Sequence, residues 1–286
     1  MKSPAHRDVH IDALRDAGNT RRSDAIAVEE PLEIRLMRDG LPEADDNGGT
    51  GRSISITMRT PGHDAELAVG FLHGEGLLRE ARDVVDVGPC GPTGNVIRVT
   101  ARADLPLDLQ KLGRNFYTTS SCGVCGKASI EAVNASAGTQ RVESDLVVRE
   151  SVLRLLPETL KASQAGFAET GGMHAVGLFS AAGELLASRE DVGRHNAMDK
   201  LVGAALRAGE LPWRDRVLLL SGRASFELLQ KAMMAGCPLV AAIGAPSTLA
   251  VELAESAGVT LVAFLRPGGC NVYCHGWRVR PMRNES

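Results

Sequence analysis

The apolar residues of this chain recur with two distinct periods. Leu32, Ile34 and Leu36 alternate with charged residues, and Ile54, Ile56 and Met58 alternate with Ser and Thr. A period of two predicts half-buried strands. Asp39 to Arg52, between them, is rich in Gly, Asp and Asn and predicts a surface loop. From Asp64, the residues Leu67, Ala68, Phe71 and Leu72 repeat at helical spacing until Gly74 and Gly76. Val84 to Val87 and Val96 to Val99 predict further strands. Gly113 to Gly126 has no period and predicts a loop that opens into a helix near Lys127 to Ala135. Met1 to Glu29 is polar and aperiodic and predicts a mobile tail.

The second half has another rhythm. Val217 to Leu220, Leu239 to Ile243 and Val259 to Leu265 are short apolar runs of the kind found in strands buried on both faces. Helices are predicted from Ser225, a suitable N-cap, to Ala235, and from Ser247 to Ala257 with Gly258 as its stop. Met198, Leu201, Val202, Ala205 and Leu206 mark one face of another helix, closed by Gly209. Strands alternating with helices predict a parallel sheet. Three regions follow: a tail over 1–29, a β-rich region over 30–146, and an α/β region over 147–286.

In an open parallel sheet, ligands bind beyond the carboxyl ends of the strands. Three such ends are predicted here: Ser221-Gly222-Arg223, Gly244 to Ser247, and Arg266-Pro267-Gly268-Gly269. Two lead into helix N-termini, where free N–H groups and the helix dipole favour anions. Arg223 and Arg266 suit bidentate phosphate contacts, so an anionic, phosphorylated ligand is expected at this edge. No Walker A sequence and no GxGxxG occurs, which argues against an ordinary ATPase or a Rossmann dehydrogenase. A polar cluster, Glu190-Asp191-Val192-Gly193-Arg194-His195-Asn196, precedes the helix at Met198 and is a candidate wall of the site. His174, after Thr170-Gly171-Gly172, is a further candidate.

Charge narrows the partners. With 32 basic and 35 acidic residues the formal net charge is −3, without the basic excess of a general nucleic-acid binder. Two Trp, two Tyr and six Phe are too few for a base-stacking platform along a strand of nucleic acid. The start of the chain lacks the apolar segment of a secretory signal, and no apolar run approaches a membrane span. A cytoplasmic protein is expected, where cysteines are buried, metal-bound or catalytic.

There are six cysteines. Cys237 reads as a small core residue, and Cys90 sits in a Pro- and Gly-flanked turn. The others form two pairs, Cys122/Cys125 and Cys270/Cys274. Three readings are open for the segment Ser120-Ser121-Cys122-Gly123-Val124-Cys125-Gly126-Lys127. All four thiolates would satisfy a structural zinc. His73-Gly74-Glu75 followed by CxxC matches part of a zinc-deaminase signature, though Ser121 replaces its proline. A persulfide-carrying sulfurtransferase would use Cys122 as a thiolate, favoured by Lys127 and a helix N-terminus.

The same segment resembles the FdhD family, sulfurtransferases required for formate dehydrogenase activity. The resemblance extends in family order through Met58-Arg59-Thr60-Pro61, Glu66 to Leu72, Glu75-Gly76, Thr170 to His174, Glu190 to Lys200, Ser221 to Glu227, Ala245-Pro246-Ser247, and Phe264 to Tyr273. It implies that a cysteine desulfurase donates sulfur, carried as a persulfide on Cys122 with Cys125 assisting or resolving. It implies an acceptor, the molybdenum or tungsten bis-guanine-dinucleotide cofactor, with formate dehydrogenase as client. The site would bind GDP-like nucleotides through Phe264, Leu265, Arg266, Pro267, Gly268, Gly269 and Asn271, together with Ser221 and Arg223. The implied architecture is α/β (α+β): a larger cytidine-deaminase-like domain with a smaller β-rich one, in a homodimer. Cys274 stands where the family usually has Thr, and Cys270 is also a departure, which weakens the four-thiolate reading.

Overall fold

The structure is a computed structural model that describes residues 5–16, 18–40, 51–106 and 141–282. It begins with an antiparallel hairpin, β1 (His6–Ala13) and β2 (Thr20–Ala27), in register from His6 opposite Ala27 to Ala13 opposite Thr20. This corrects the expectation of a mobile tail over 1–29. The ribbon is exposed on most of its surface, so its strands need no apolar alternation and leave no periodic signal. It rests on the short helix that ends at Thr170, where His6 Nδ1 lies 2.8 Å from Glu169.

The smaller lobe is a four-stranded sheet of β3 (Glu30–Arg38), β4 (Arg52–Arg59), β5 (Val84–Pro89) and β6 (Val96–Ala101), in the order β4-β3-β6-β5. Leu32, Ile34 and Leu36 point to one face and are fully buried, as their alternation requires. That face is covered by α1 (Asp64–Gly74), through Leu67, Ala68 and Leu72.

The larger lobe is a six-stranded mixed sheet. Its centre is the predicted parallel set, β10 (Arg216–Leu220), β11 (Leu239–Ala242) and β12 (Thr260–Arg266). Antiparallel strands extend it on both sides: β8 (His174–Ser180) and β9 (Leu185–Asp191) beyond β10, and β13 (Gly269–Cys274) beyond β12. The helix α2 (Glu150–Ser163) covers one face with Leu153, Leu156 and Leu160, and α3 (Ala165–Thr170) follows it. On the other face lie α4 (Arg194–Ala208), α5 (Phe226–Met234) and α6 (Thr248–Ala257). A short parallel pair joins β7 (Val148–Arg149) to β14 (Val279–Arg280). The predicted stops hold: Gly209 and Gly258 end α4 and α6 with φ of 71° and 73°, where a Cβ would be strained. Val142 and Leu146 already lie in the cores of this sheet. No helix among the described residues is long and apolar enough to cross a membrane.

The lobes meet where α1 crosses α4. A Cβ on Gly203 would stand 1.8 Å from the Glu66 carbonyl oxygen, and one on Gly70 would stand 1.9 Å from that of Asp199. Only glycine permits backbones to approach this closely. Beside the crossing, Arg189 of β9 grips Glu66 with both arms, at 2.6 and 2.9 Å. Burial alone would raise the Glu66 carboxyl; His63 and Arg189 outweigh it and hold the group down near 2.

Candidate functional site

Because β10, β11 and β12 run parallel, their carboxyl ends share one edge. The three loops leaving them touch in sequence. Gly244 N donates to Gly222 O at 3.0 Å, and Phe264 N donates to Gly244 O at 3.3 Å. Gly244 is needed in this stack, since a Cβ there would meet Gly222 O at 2.9 Å and Arg223 N at 3.0 Å. The strand β8 runs the other way, so its start, not its end, arrives at the same edge. Ser221 exchanges hydrogen bonds with Ala175: its N donates to Ala175 O at 3.0 Å, and its Oγ accepts from Ala175 N at 2.9 Å. This brings His174 beside Gly222, where a Cβ would lie 3.4 Å from His174 Nδ1. The end of β9 pairs Asp191 with His174 and leads into α4, which delivers Arg194 and His195.

One edge therefore gathers His174, Arg194, His195, Ser221, Arg223, Phe264 and Arg266 from distant parts of the chain. Arg223 and Arg266 are exposed, and Arg194 is half-buried with its Nε enclosed and without an acceptor among the described residues. None of the three pairs with a described carboxylate. His195 Nε2 lies 3.3 Å from Ser225 Oγ and 3.5 Å from Glu227. Burial pushes His195 down to about 4, against the pull of Glu227, so its ring is neutral at pH 7. His174 is lowered by burial and then by Arg194. Behind Glu227 stands Lys231, 2.7 Å from Asp199 and 3.6 Å from Glu227, both itself and Asp199 enclosed. Burial disfavours the Lys231 charge, but Asp199, Glu227 and Glu75 outweigh it and keep the amine protonated. Ser225 and Glu227 were legible only as a helix start; their place beside His195 depends on two helix N-termini meeting. The edge thus offers guanidinium groups and the neutral His195 imidazole to an anionic ligand.

Several expected site residues are buried instead of open at the edge. Asp191 is fully buried, and its carboxylate accepts from Thr60 N, Gly193 N and Asn196 Nδ2 at 3.1, 2.9 and 3.0 Å, with Lys200 Nζ at 2.7 Å. Asn196 donates to Met58 O at 2.7 Å and accepts from Thr57 Oγ1 at 3.1 Å. Asp191 and Asn196 fasten the two lobes together. A polar run has the same sequence pattern whether it is solvated or internally satisfied, which is why they read as a wall. Leu265 is 1% exposed and belongs to the core on the α2 face. Phe264, Arg266, Pro267, Gly268 and Asn271 are exposed, and Gly269 is half-buried, where β12 turns into β13. Cys122, Cys125 and Lys127 lie outside the described residues.

Cys237, Cys270 and Cys274 lie within the larger lobe. On β13 one extra residue sits between the pairs Val262/Val272 and Leu261/Cys274, a bulge at Tyr273. It reverses the inward alternation, so Cys270 packs toward α2 while Cys274 Sγ meets Val251 O of α6 at 3.4 Å. The two thiols face opposite sides of the sheet and do not converge on one metal. Burial pushes Cys237 up to about 12 and Cys274 to about 11, and raises Cys270. His73, of the deaminase-like pattern, is buried with Nδ1 2.9 Å from Leu78 O.

A two-lobed α/β protein with an anion-suited edge on its larger sheet is the class these features define. The family model described as FdhD/NarQ matches residues 29–280, and the chain belongs to that family. It is 48% identical over 274 residues to the sulfur carrier protein FdhD of Streptomyces coelicolor, covering 93% of each chain. It is 45% identical over 286 residues to that of Mycobacterium tuberculosis, covering 96% of this chain and 98% of the other. The fold is similar to the crystal structure of a putative formate dehydrogenase accessory protein from Desulfotalea psychrophila. That likeness has a TM-score of 0.73 at 24% identity, over 97% of this chain and 100% of the other.

Proposed function

We propose that this protein is a sulfur carrier serving formate dehydrogenase, with Cys122 as the carrying residue. The observation that carries this is the near full-length identity to sulfur carrier proteins of the family. Three of the other thiols, Cys237, Cys270 and Cys274, are disfavoured as thiolates where they lie. In the first step the Cys122 thiolate attacks the terminal sulfur of a cysteine desulfurase persulfide. The donor's S–S bond breaks, its cysteine leaves as thiolate, and Cys122 holds the sulfur as a persulfide. In the second, Cys125 attacks the Cys122 Sγ, a disulfide forms, and the terminal sulfur departs as hydrosulfide, reduced by the two thiol electrons. A cellular dithiol then resets the disulfide.

The receiving substrate in this reading is the molybdenum (or tungsten) bis-guanine-dinucleotide cofactor, held at the edge of the larger sheet. Arg223, Arg266 and Arg194 supply charge for its pyrophosphates, which is the chemistry free guanidiniums beside glycine-lined loops favour. GDP is the simplest probe of the same edge. The test is intact-mass measurement after incubation with a cysteine desulfurase and cysteine. One added sulfur atom, mapped to Cys122 and absent from Cys122→Ala, is expected. A folded Cys122→Ala that still gains the sulfur and still restores formate dehydrogenase overturns the proposal.

A further inference from the structure

The hydroxyl of Ser225 does not do what its position suggests. Ser225 is the N-cap of α5, where a serine oxygen accepts from the N–H of the second or third helical residue. Ser247, the N-cap of α6, does so, accepting from Ala250 N at 3.3 Å, whereas the Ser225 side chain makes no such cap. Its Oγ instead lies 3.3 Å from His195 Nε2, and Glu227, in the first turn of α5, lies 3.5 Å from the same nitrogen. The start of α5 is therefore turned toward the ring of another helix.

Behind Glu227 a buried ion pair stands where three helices meet. Lys231 Nζ of α5 donates to Asp199 Oδ1 of α4 at 2.7 Å and lies 3.6 Å from Glu227. The side chains of Lys231 and Asp199 are 3% and 4% exposed. From α1, Gly74 makes room for the amine, since a Cβ there would stand 3.0 Å from Nζ, and the Phe71 ring centre is 5.7 Å away. A buried ion pair gains little over apolar residues of similar volume, so folding alone gives no reason for a cation here. Orientation gives one. Lys231 holds the Glu227 carboxylate, and an ionised carboxylate only accepts hydrogen bonds, so a neutral His195 keeps its proton on Nε2. The other ring nitrogen, Nδ1, then carries the lone pair. It has no partner among the described residues, and the side chain is not enclosed, being 16% exposed.

We propose that Glu227, braced by the Lys231–Asp199 pair, is a positioning residue for His195: it fixes the ring as the Nε2–H tautomer, so that Nδ1 meets the ligand of this edge as a hydrogen-bond acceptor. This rests on the ligand-binding reading of the edge. The charged and titratable groups facing the ring are Glu227 and Lys231 of α5, Arg194 of α4 and His174 of β8. Glu227 favours the imidazolium and the other three oppose it; with burial they prevail, so the tautomer is read on a neutral ring at pH 7.

The test is nitrogen NMR of the full chain, isotope-labelled at its seven histidines, with the His195 signal assigned through His195→Gln, alongside calorimetric titration with GDP. The parent is expected to carry the His195 proton on Nε2. Glu227→Ala mixes the two tautomers and weakens GDP binding about threefold to tenfold, the worth of one hydrogen bond. The double variant Asp199→Asn/Lys231→Met removes both buried charges at once, so that neither is left unpaired, and is expected to mix the tautomers too. A parent proton on Nδ1, or an Nε2–H tautomer unchanged in Glu227→Ala, overturns the positioning role. An unchanged tautomer in the double variant alone overturns the brace. A Glu227→Ala protein with mixed tautomers and unchanged GDP affinity overturns the Nδ1 contact. A parent that binds no GDP removes the ligand reading of the edge and the Nδ1 contact with it, while the tautomer still decides whether Glu227 positions the ring.

Discussion

Gly203→Ala tests how the two lobes are joined. The added methyl group would stand 1.8 Å from Glu66 O and 2.7 Å from Gly70 N, whereas ordinary contact begins near 3.4 Å, so α1 and α4 must part by about 1.6 Å (3.4 minus 1.8). Both obstructing atoms are backbone, and no rotamer relieves them. The residues flanking the crossing, Leu67, Ala68 and Val202, are at most 1% exposed, so parting the helices also loosens a filled core. Overpacking of a rigid site costs about 1–3 kcal/mol, and backbone on both sides places this near 3. For a protein of this size that corresponds to a fall in Tm of roughly 6–12 °C. Thermal unfolding followed by circular dichroism reads it directly. Gly88→Ala is the control: it meets nothing within 4 Å and should shift stability by no more than about 0.5 kcal/mol. Gly70→Ala attacks the same contact, and the double variant should lose less than the sum of the two. A Gly203→Ala protein that melts within about 2 °C of the parent would refute the close crossing.

Three further predictions concern charge and thiols. Lys200→Met leaves the buried Asp191 without its cation and should lower stability by about 3–5 kcal/mol in chemical denaturation; a loss under 1 kcal/mol would refute the pairing. Glu66 is held near 2, below its unfolded value, so its contribution is present above about pH 5 and disappears as pH falls toward 2. Discounted for partial exposure, that contribution is on the order of 1–2 kcal/mol, and Glu66→Gln should flatten the acid limb of a Tm–pH curve by that amount. Cys237 and Cys274, raised to about 12 and 11, should remain unmodified by iodoacetamide at pH 8 in the native protein and react only on unfolding. Peptide mass mapping that finds both labelled at the rate of a free thiol would contradict their burial.

The alternation of β10, α5, β11, α6 and β12 was legible because every strand is buried on both faces and the helices start at Ser225 and Ser247. These are local signals, and so was the glycine that closes α6. What escaped the sequence was set by pairing. The hairpin of β1 and β2 buries too little to show a period. The strands β9 and β13 are polar because they lie at the margins of the sheet, and β8 reveals its direction only through its partners. Asp191 and Asn196 look like solvated residues until Thr60 and Met58 of the other lobe close over them. Of the candidate site, the three loops and their arginines were visible as glycine- and arginine-bearing strand ends. His174 and His195 were visible as candidates, but the geometry that brings them to that edge was not, since it depends on β8 running antiparallel to β10.

The bulge at Tyr273 makes spacing an unreliable guide along β13. Four residues apart on a regular strand means one shared face, yet Cys270 and Cys274 look in opposite directions. Deleting Tyr273 would therefore do more than shorten the strand. It would turn residue 274 or everything before it inside out, exchanging solvent-facing and core-facing positions beside the Phe264 turn. A single residue of length, not the identity of any side chain, decides which half of β13 the core receives.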